Sequence, residues 1–248
     1  MKKGENIWLI GASTGIGKAL AKELSDTGAR LVLSSRNKDA LEELEKILGG
    51  GHFVCPVDIA DSTSVAKAVS FVTETLPRID RVICLAAVYT PGAFADIPEK
   101  DMENIVNTNL AGTLRVAKSV LPVLEQQGGG QLVLCGSIAG YAGLPASQPY
   151  AATKAGIMNL AQSLYMEYRP KNIDIKLISP GFVKTPMTDK NDFPMPFIMQ
   201  PEDAAKRIAK GLNKKSFEIH FPRRFTFLLK FLRLLPASLY FFIIRRLA

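Results

Sequence analysis

Histidine is nearly absent, cysteine is sparse, and no long uncharged hydrophobic run occurs near the end where one is most suspected. Among 248 residues there are two histidines, His52 and His220, and three cysteines, Cys55, Cys84 and Cys135. The cysteines sit singly in apolar segments, with no C-x-x-C pair and no Cys/His cluster. That pattern speaks against structural zinc and against a disulfide framework. No metal is implied. The longest uncharged run of the C-terminal segment, Leu234 to Ile244, has eleven residues and contains Pro236. A spanning helix needs ~20 apolar residues. No basic start followed by an apolar run and a small-residue cleavage site appears, so export is not expected. A reducing cytoplasm is the expected compartment.

Acidic residues are missing from one place in particular. Between Pro222 and Ala248 there are six basic side chains (Arg223, Arg224, Lys230, Arg233, Arg245, Arg246) and no acidic one. Removing those six from the net charge of +8 leaves +2 for the first 221 residues. The body is nearly neutral and the tail is basic. Because these cations are interleaved with Leu and Phe, nucleic acid is not an expected partner. With 47% hydrophobic and 22% charged residues, the chain reads as a globular protein.

What is present is an alternation. The β-like runs I-W-L-I (7–10), R-L-V-L-S-S (30–35), H-F-V-C-P-V (52–57), R-V-I-C-L-A (81–86), Q-L-V-L-C-G (131–136) and I-D-I-K-L-I (173–178) are separated by helical patterns. These helices start near Ile16, Lys38 and Ser62, then cover roughly 101–126 and the segment after Tyr150. Apolar strand cores joined by helices imply a Rossmann-type, doubly wound α/β fold: a parallel sheet covered on both faces. One domain, 1–221, is expected, followed by an amphipathic tail, 222–248. In such a sheet, ligands bind beyond the carboxyl ends of the strands.

The unusual residues fall there. G-A-S-T-G-I-G (11–17) links the first strand to the first helix. Gly11, Gly15 and Gly17 permit a tight turn and close backbone approach to a pyrophosphate at a helix N-terminus. At the end of the second strand stand Ser34, Ser35 and Arg36, with no carboxylate to bind ribose hydroxyls. Arg36 can neutralise a 2′-phosphate. NADP(H) is therefore the expected cofactor, with NAD(H) the alternative. Further on, Y-A-A-T-K puts Tyr150 and Lys154 one helical turn apart on a shared face. An ammonium beside a phenol favours the phenolate and should lower the tyrosine pKa from its usual ~10.

Taken in order, these motifs resemble the short-chain dehydrogenase/reductase family over about residues 5–220, in a form the length of this chain. The glycine loop matches, with Ile10 where the family has threonine, and the resemblance extends cofactor contact to Ser13, Thr14 and Ile16. Asp58 in P-V-D-I matches the aspartate that bonds the adenine amino group. Asn109 in N-T-N-L-A-G-T, Ser137 in G-S-I-A-G, Tyr150 and Lys154 match the catalytic set. S-P-G-F-V-K-T (179–185) matches the segment that supplies Pro180, Gly181, Val183 and Thr185 to the nicotinamide end. One motif departs: C-L-A-A (84–87) replaces Asn-Asn-Ala-Gly, leaving Ala86 at the cofactor and apolar packing in place of asparagine hydrogen bonds.

The resemblance implies hydride transfer between nicotinamide and a carbonyl carbon or alcohol. Tyr150 would move the proton, Lys154 would lower its pKa and bond the nicotinamide ribose, and Ser137 would hold the substrate oxygen. Asn109 would hold a water linking Lys154 to solvent, although asparagine within a helical pattern can also mark a local bend. A Met- and Phe-rich segment (Met187, Phe193, Met195, Phe197, Ile198, Met199) could line an apolar pocket or pack as a lid. Steroid, fatty-acyl and long-chain ketone substrates stay open. Alternatives are an NAD(H)-dependent hydroxysteroid or hydroxy-lipid dehydrogenase and a nucleotide-binding regulator without turnover. The tail suits two short helices divided at Pro236. These would either anchor peripherally on an anionic membrane, at its inner face, or bury against another subunit of a homo-dimer or homo-tetramer.

Overall fold

Leucine-, isoleucine- and valine-rich stretches of four to six residues alternate with amphipathic ones in this sequence, and each becomes the element its periodicity favours. The computed structural model describes residues 4–247. Met1, Lys2, Lys3 and Ala248, at the outer ends of the two expected units, lie outside the described residues. The first half runs β1 (Asn6–Ile10), α1 (Gly15–Ser25), β2 (Arg30–Ser34), α2 (Lys38–Ile47), β3 (Phe53–Val54), α3 (Ser62–Thr75) and β4 (Arg81–Cys84). Next come α4 (Glu99–Ile105), a π-helical turn (Val106–Ala111), α5 (Gly112–Gln126), β5 (Gly130–Cys135) and α6 (Tyr150–Tyr168). The chain closes with β6 (Ile173–Pro180), α7 (Pro201–Leu212), β7 (Glu218–Phe221), α8 (Arg223–Arg233) and α9 (Ala237–Leu247).

The strands form one parallel sheet in the order β3-β2-β1-β4-β5-β6-β7. Along each central strand, alternate side chains go to opposite faces. Trp8, Ile10, Val32, Val82, Leu132 and Leu134 meet α3, α5 and α6 on one side. Ile7, Leu9, Leu31, Leu33, Ile83 and Val133 meet α1, α2 and α7 on the other. Trp8 is fully buried and donates from Nε1 to Ser34 Oγ (2.9 Å), whose hydroxyl donates to the Cys55 carbonyl (2.6 Å). That link satisfies the polar groups where three strands meet. The chain winds out from β1 to β3 and then returns to β4 on the other side of β1, so the switch point lies between β1 and β4.

Three details differ from the sequence expectation. The run 52–57 gives only a two-residue strand, because Pro56 has no N–H for the ladder; Cys55 and Val57 still donate to Leu33 and Ser35 carbonyls. The helix expected over 101–126 is interrupted by the π-helical turn that contains Asn109. Finally, α7 and β7 add an element pair beyond the last strand read from the sequence. β7 is the sheet edge, and E-I-H-F alternates charged or polar with apolar residues, so it offers no apolar run.

The tail forms two helices separated at Pro236, and among the described residues no helix is long and apolar enough to cross a membrane. Their inner faces hold to the body. Lys230 of α8 bonds Glu218 of β7, which also accepts from the Tyr141 hydroxyl (2.6 Å). Tyr240 of α9 donates to the Gly143 carbonyl (2.8 Å) and packs with Leu232 and Ile244 against Ala142 and Leu144. Burial alone would raise the Glu218 carboxyl, but the hydrogen bonds it accepts from Lys230 and Tyr141 outweigh this and hold it below the ordinary carboxylate value. Its contribution is therefore present above the unfolded pKa of ~4.3 and is lost as pH falls through the lower folded value. Glu218→Gln should cost about 1–2 kcal/mol at neutral pH, a fall in Tm of roughly 3–6 °C. Thermal melts should show that difference shrinking toward acid pH, and a constant difference at all pH values would contradict the assignment.

Candidate active site

A cleft of about 390 Å³ opens where the carboxyl ends of β1, β4, β5 and β6 converge. Its first wall is the turn between β1 and α1. Gly11 and Gly15 have positive φ (91° and 51°), which glycine alone adopts cheaply. A Cβ on Gly17 would stand 1.9 Å from the Gly11 carbonyl oxygen, and one on Gly15 would stand 2.7 Å from Thr185 Cγ2. Backbone at Gly17 and the Thr185 side chain at Gly15 therefore fill the space a Cβ would need. The first turn of α1 has no acidic residue, and its N-cap Thr14 makes no side-chain cap bond, so its N–H groups face the cleft without a side-chain acceptor. This cradle fits the diphosphate of a dinucleotide.

Arg36 and Asp58 lie at the outer end of the same cleft. Arg36 is exposed at the end of β2. Asp58 is oriented by its own turn, accepting from Ala60 N (2.9 Å), while its backbone N–H donates to Ser64 Oγ (3.0 Å). The departed motif behaves as apolar packing: Cys84 belongs to one core, Leu85 packs against the other, and Ala86 and Ala87 line the cleft. Burial pushes the Cys84 thiol up to about 12 and raises Cys135 as well. Neither thiol is a nucleophile at neutral pH.

At the inner end, Ser137 follows β5 and caps a short turn by accepting from Ala139 N (3.2 Å). Tyr150 begins α6, and Lys154 lies one turn further, with its ammonium 5.4 Å from the Tyr150 ring centroid. Lys154 is 1% exposed and donates to the Cys135 carbonyl at 2.8 Å. The expected lowering of the tyrosine pKa is corrected here. Burial raises the phenol pKa above its ordinary value, and this outweighs the opposing pull of the Lys154 charge and the Ser137 hydroxyl. The cation acts in the expected direction but does not set the sign.

Asn109 is the one residue from the sequence-derived set that does not line the cleft; its neighbour Thr108 does. Its amide clamps the loop after β4, accepting from Val88 N (2.8 Å) and donating to the Val88 carbonyl (2.9 Å). Its own carbonyl accepts from the Thr113 hydroxyl at 2.6 Å. The side chain is thus held by the Val88 backbone, and its Nδ2 also reaches Thr153 Oγ1 of α6 at 3.4 Å. Of the Met- and Phe-rich segment, Met187 lines this cleft, while Phe197 packs on Phe225 of α8 and Met199 joins the core.

Tyr89 escaped the sequence reading. Its ring meets Tyr150 edge-on, with centroids 5.1 Å apart, and its hydroxyl donates to Asn191 Oδ1 at 3.0 Å. It ties the loop after β4 to the segment after β6. The available signal was an aromatic residue, V-Y-T-P-G, just beyond the carboxyl end of a strand.

Fold and cleft together define a nucleotide-binding α/β oxidoreductase. The chain belongs to the short-chain dehydrogenase family: the family model described as short chain dehydrogenase matches residues 5–194. It is therefore an NAD(P)-dependent dehydrogenase or reductase acting on CH–OH and C=O groups. An uncharacterized oxidoreductase of Myxococcus xanthus is 30% identical over 242 residues, 96% of each chain. Oxidoreductase UcpA of Salmonella typhimurium is 36% identical over 190 residues, 75% of this chain and 72% of its own. A short-chain dehydrogenase from Sphingobium yanoikuyae, solved in complex with NADPH, superposes with a TM-score of 0.80 over 88% of both chains at 26% identity. A Burkholderia phymatum short chain dehydrogenase/reductase solved with NAD shares the fold at 19% identity, with a TM-score of 0.84 over 92% of both chains.

The glycine cradle is directly testable. Gly17→Ala should cost about 1–3 kcal/mol through the backbone clash and weaken nucleotide binding by more than about tenfold. Melting curves and fluorescence titration with NADPH measure both, and unaltered binding would remove the loop from the nucleotide site.

Proposed function

We propose that this enzyme uses NADP(H) to move hydride between a nicotinamide and an apolar ketone or secondary alcohol, with Tyr150 transferring the proton. The observation that carries this reading is a single cleft shared by the glycine cradle and a phenol flanked by an ammonium and a hydroxyl. The bound nicotinamide supplies or accepts the hydride. Ser137 donates a hydrogen bond to the substrate oxygen and holds it beside the phenol. Tyr150 gives its proton to that oxygen as negative charge develops. Lys154, kept in place by the Cys135 carbonyl, stabilises the phenolate left behind. Asn109 is a positioning residue: through Val88 it fixes the loop that carries Tyr89 against Tyr150.

A phenol with a raised pKa is protonated at neutral pH, ready to donate and poor at accepting. In the reduction direction it is the protonated phenol that acts. Arg36, with no carboxylate at the end of β2, supports the phosphorylated nucleotide, as does the NADPH held by the Sphingobium yanoikuyae relative. Asp58 orients at the adenine end; Pro180, Gly181, Val183 and Thr185 border the nicotinamide end. Met187 in the cleft wall supports an apolar substrate.

Tyr150→Phe should lower kcat for ketone reduction by about 10²–10⁴-fold while leaving nucleotide affinity intact. In the unaltered enzyme the reduction rate should hold through neutral pH and fall as pH rises through the raised Tyr150 value, since only the protonated phenol donates. Near-normal turnover in the variant would refute the mechanism. Arg36→Ala should weaken NADPH by roughly tenfold, about 1.4 kcal/mol, and leave NADH unchanged. Equal losses for both nucleotides would instead favour NAD(H).

A further inference from the structure

The last two helices carry a second apolar stripe that, apart from an edge-on contact of Phe227 with His220 of β7, turns away from the body of the protein. On α8, Phe225, Thr226, Leu229 and Leu232 turn inward. Phe227, Leu228, Phe231 and Leu234 turn outward, the last two 61% and 81% exposed. On α9, Tyr240 and Ile244 are buried, whereas Phe241 and Phe242 are more than half exposed. Large apolar side chains gathered this densely on a folded surface mark an interaction site.

Cations frame the stripe. Arg223, Arg224, Arg233, Arg245 and Arg246 are all exposed, and no acidic residue occurs from Pro222 to the end of the chain. The Arg246 guanidinium lies 4.3 Å from the Phe242 ring centroid, so charge and aromatic surface share one patch. A two-fold pairing of two copies would set this patch against itself, opposing like charges with no carboxylate from the same segment to relieve them. A phosphate-bearing surface neutralises the arginines and accepts the rings between its headgroups.

The opposite, inward side of α8 rests on the segment that borders the cleft. Phe225 of α8 stacks on Phe182 at 6.3 Å and tilts on Phe197 at 5.6 Å. Phe182 stands between Gly181 and Val183, both of which line the cleft, and Phe197 is itself 59% exposed. We propose that the outward face of α8 and α9 docks on an anionic lipid bilayer. Docking turns the cleft mouth toward the membrane, from which it takes an apolar carbonyl substrate; this last step rests on the function proposed above.

Full-length protein sedimented with phosphatidylglycerol-rich vesicles should pellet with them. Binding should fall by about tenfold or more on vesicles of phosphatidylcholine alone and again on raising salt, because exposed charges are screened. The double variant Phe231→Ser, Leu234→Ser should abolish pelleting yet retain NADPH binding and turnover of a short water-soluble ketone. Arg245→Gln with Arg246→Gln, which leaves the apolar stripe intact, should reduce the preference for anionic vesicles. Absence of pelleting by the unaltered protein, or equal pelleting by the serine variant, overturns the proposal. So does a dimer in analytical ultracentrifugation that dissociates in the serine variant without vesicle binding, since a second copy then covers the face. Turnover of the soluble ketone is read separately, so its failure counts against the catalytic assignment and leaves the vesicle result standing.

Discussion

A buried ammonium organises the cleft. Lys154 is almost completely shielded from water, and its described protein acceptor is the carbonyl of Cys135 at the end of β5. An uncompensated charge in that setting costs several kcal/mol, so α6 is fixed against the end of the sheet. Gly140 makes the approach possible, since a Cβ there would lie 2.8 Å from Ala155 N. With Lys154 fixed, helical geometry aims Tyr150 at the same opening. The phenol, the ammonium and Ser137 are thus held by two elements joined by that hydrogen bond and by the apolar packing of α6 on the sheet.

The opposite wall depends on a π-helical turn. The run Val106–Ala111 inserts an irregular step between α4 and α5, a device often found at functional positions. It points the Asn109 amide at Val88, where two hydrogen bonds give the loop after β4 a strand-like hold it would otherwise lack. Tyr89, the next residue along, is thereby set edge-on to Tyr150. The wall is fixed through the Val88 backbone and meets the reactive centre through the Tyr89 ring.

The fold was largely legible because doubly buried strands leave unmistakable apolar runs, and because glycine spacing reflects steric need, as at Gly17. Part of the cleft lining followed from the same logic, since the glycine loop, Arg36, Tyr150 and Lys154 follow strands or begin helices at one sheet end, whereas Asp58 and Ser137 were legible only through the family resemblance. What escaped notice is equally physical. β7 lies at an edge, so its pattern mixes Glu218 and His220 with apolar residues. Tyr89 stands alone between Val88 and Thr90, with no spacing to flag it. The direction of the Tyr150 pKa turns on desolvation, which a list of neighbours in sequence does not contain. The aromatic segment after β6 was split between cleft, core and α8 by packing that composition alone does not resolve.

The single tryptophan gives the protein a built-in optical gauge. Trp8 is sealed in the central strand, hydrogen-bonded to Ser34 and two residues from Ile10 at the cleft. Indole emission from this chain therefore has one source, dry and rigid, at the middle of the sheet. Its colour reports solvent reaching that point, while events confined to the outer helices pass without a signal.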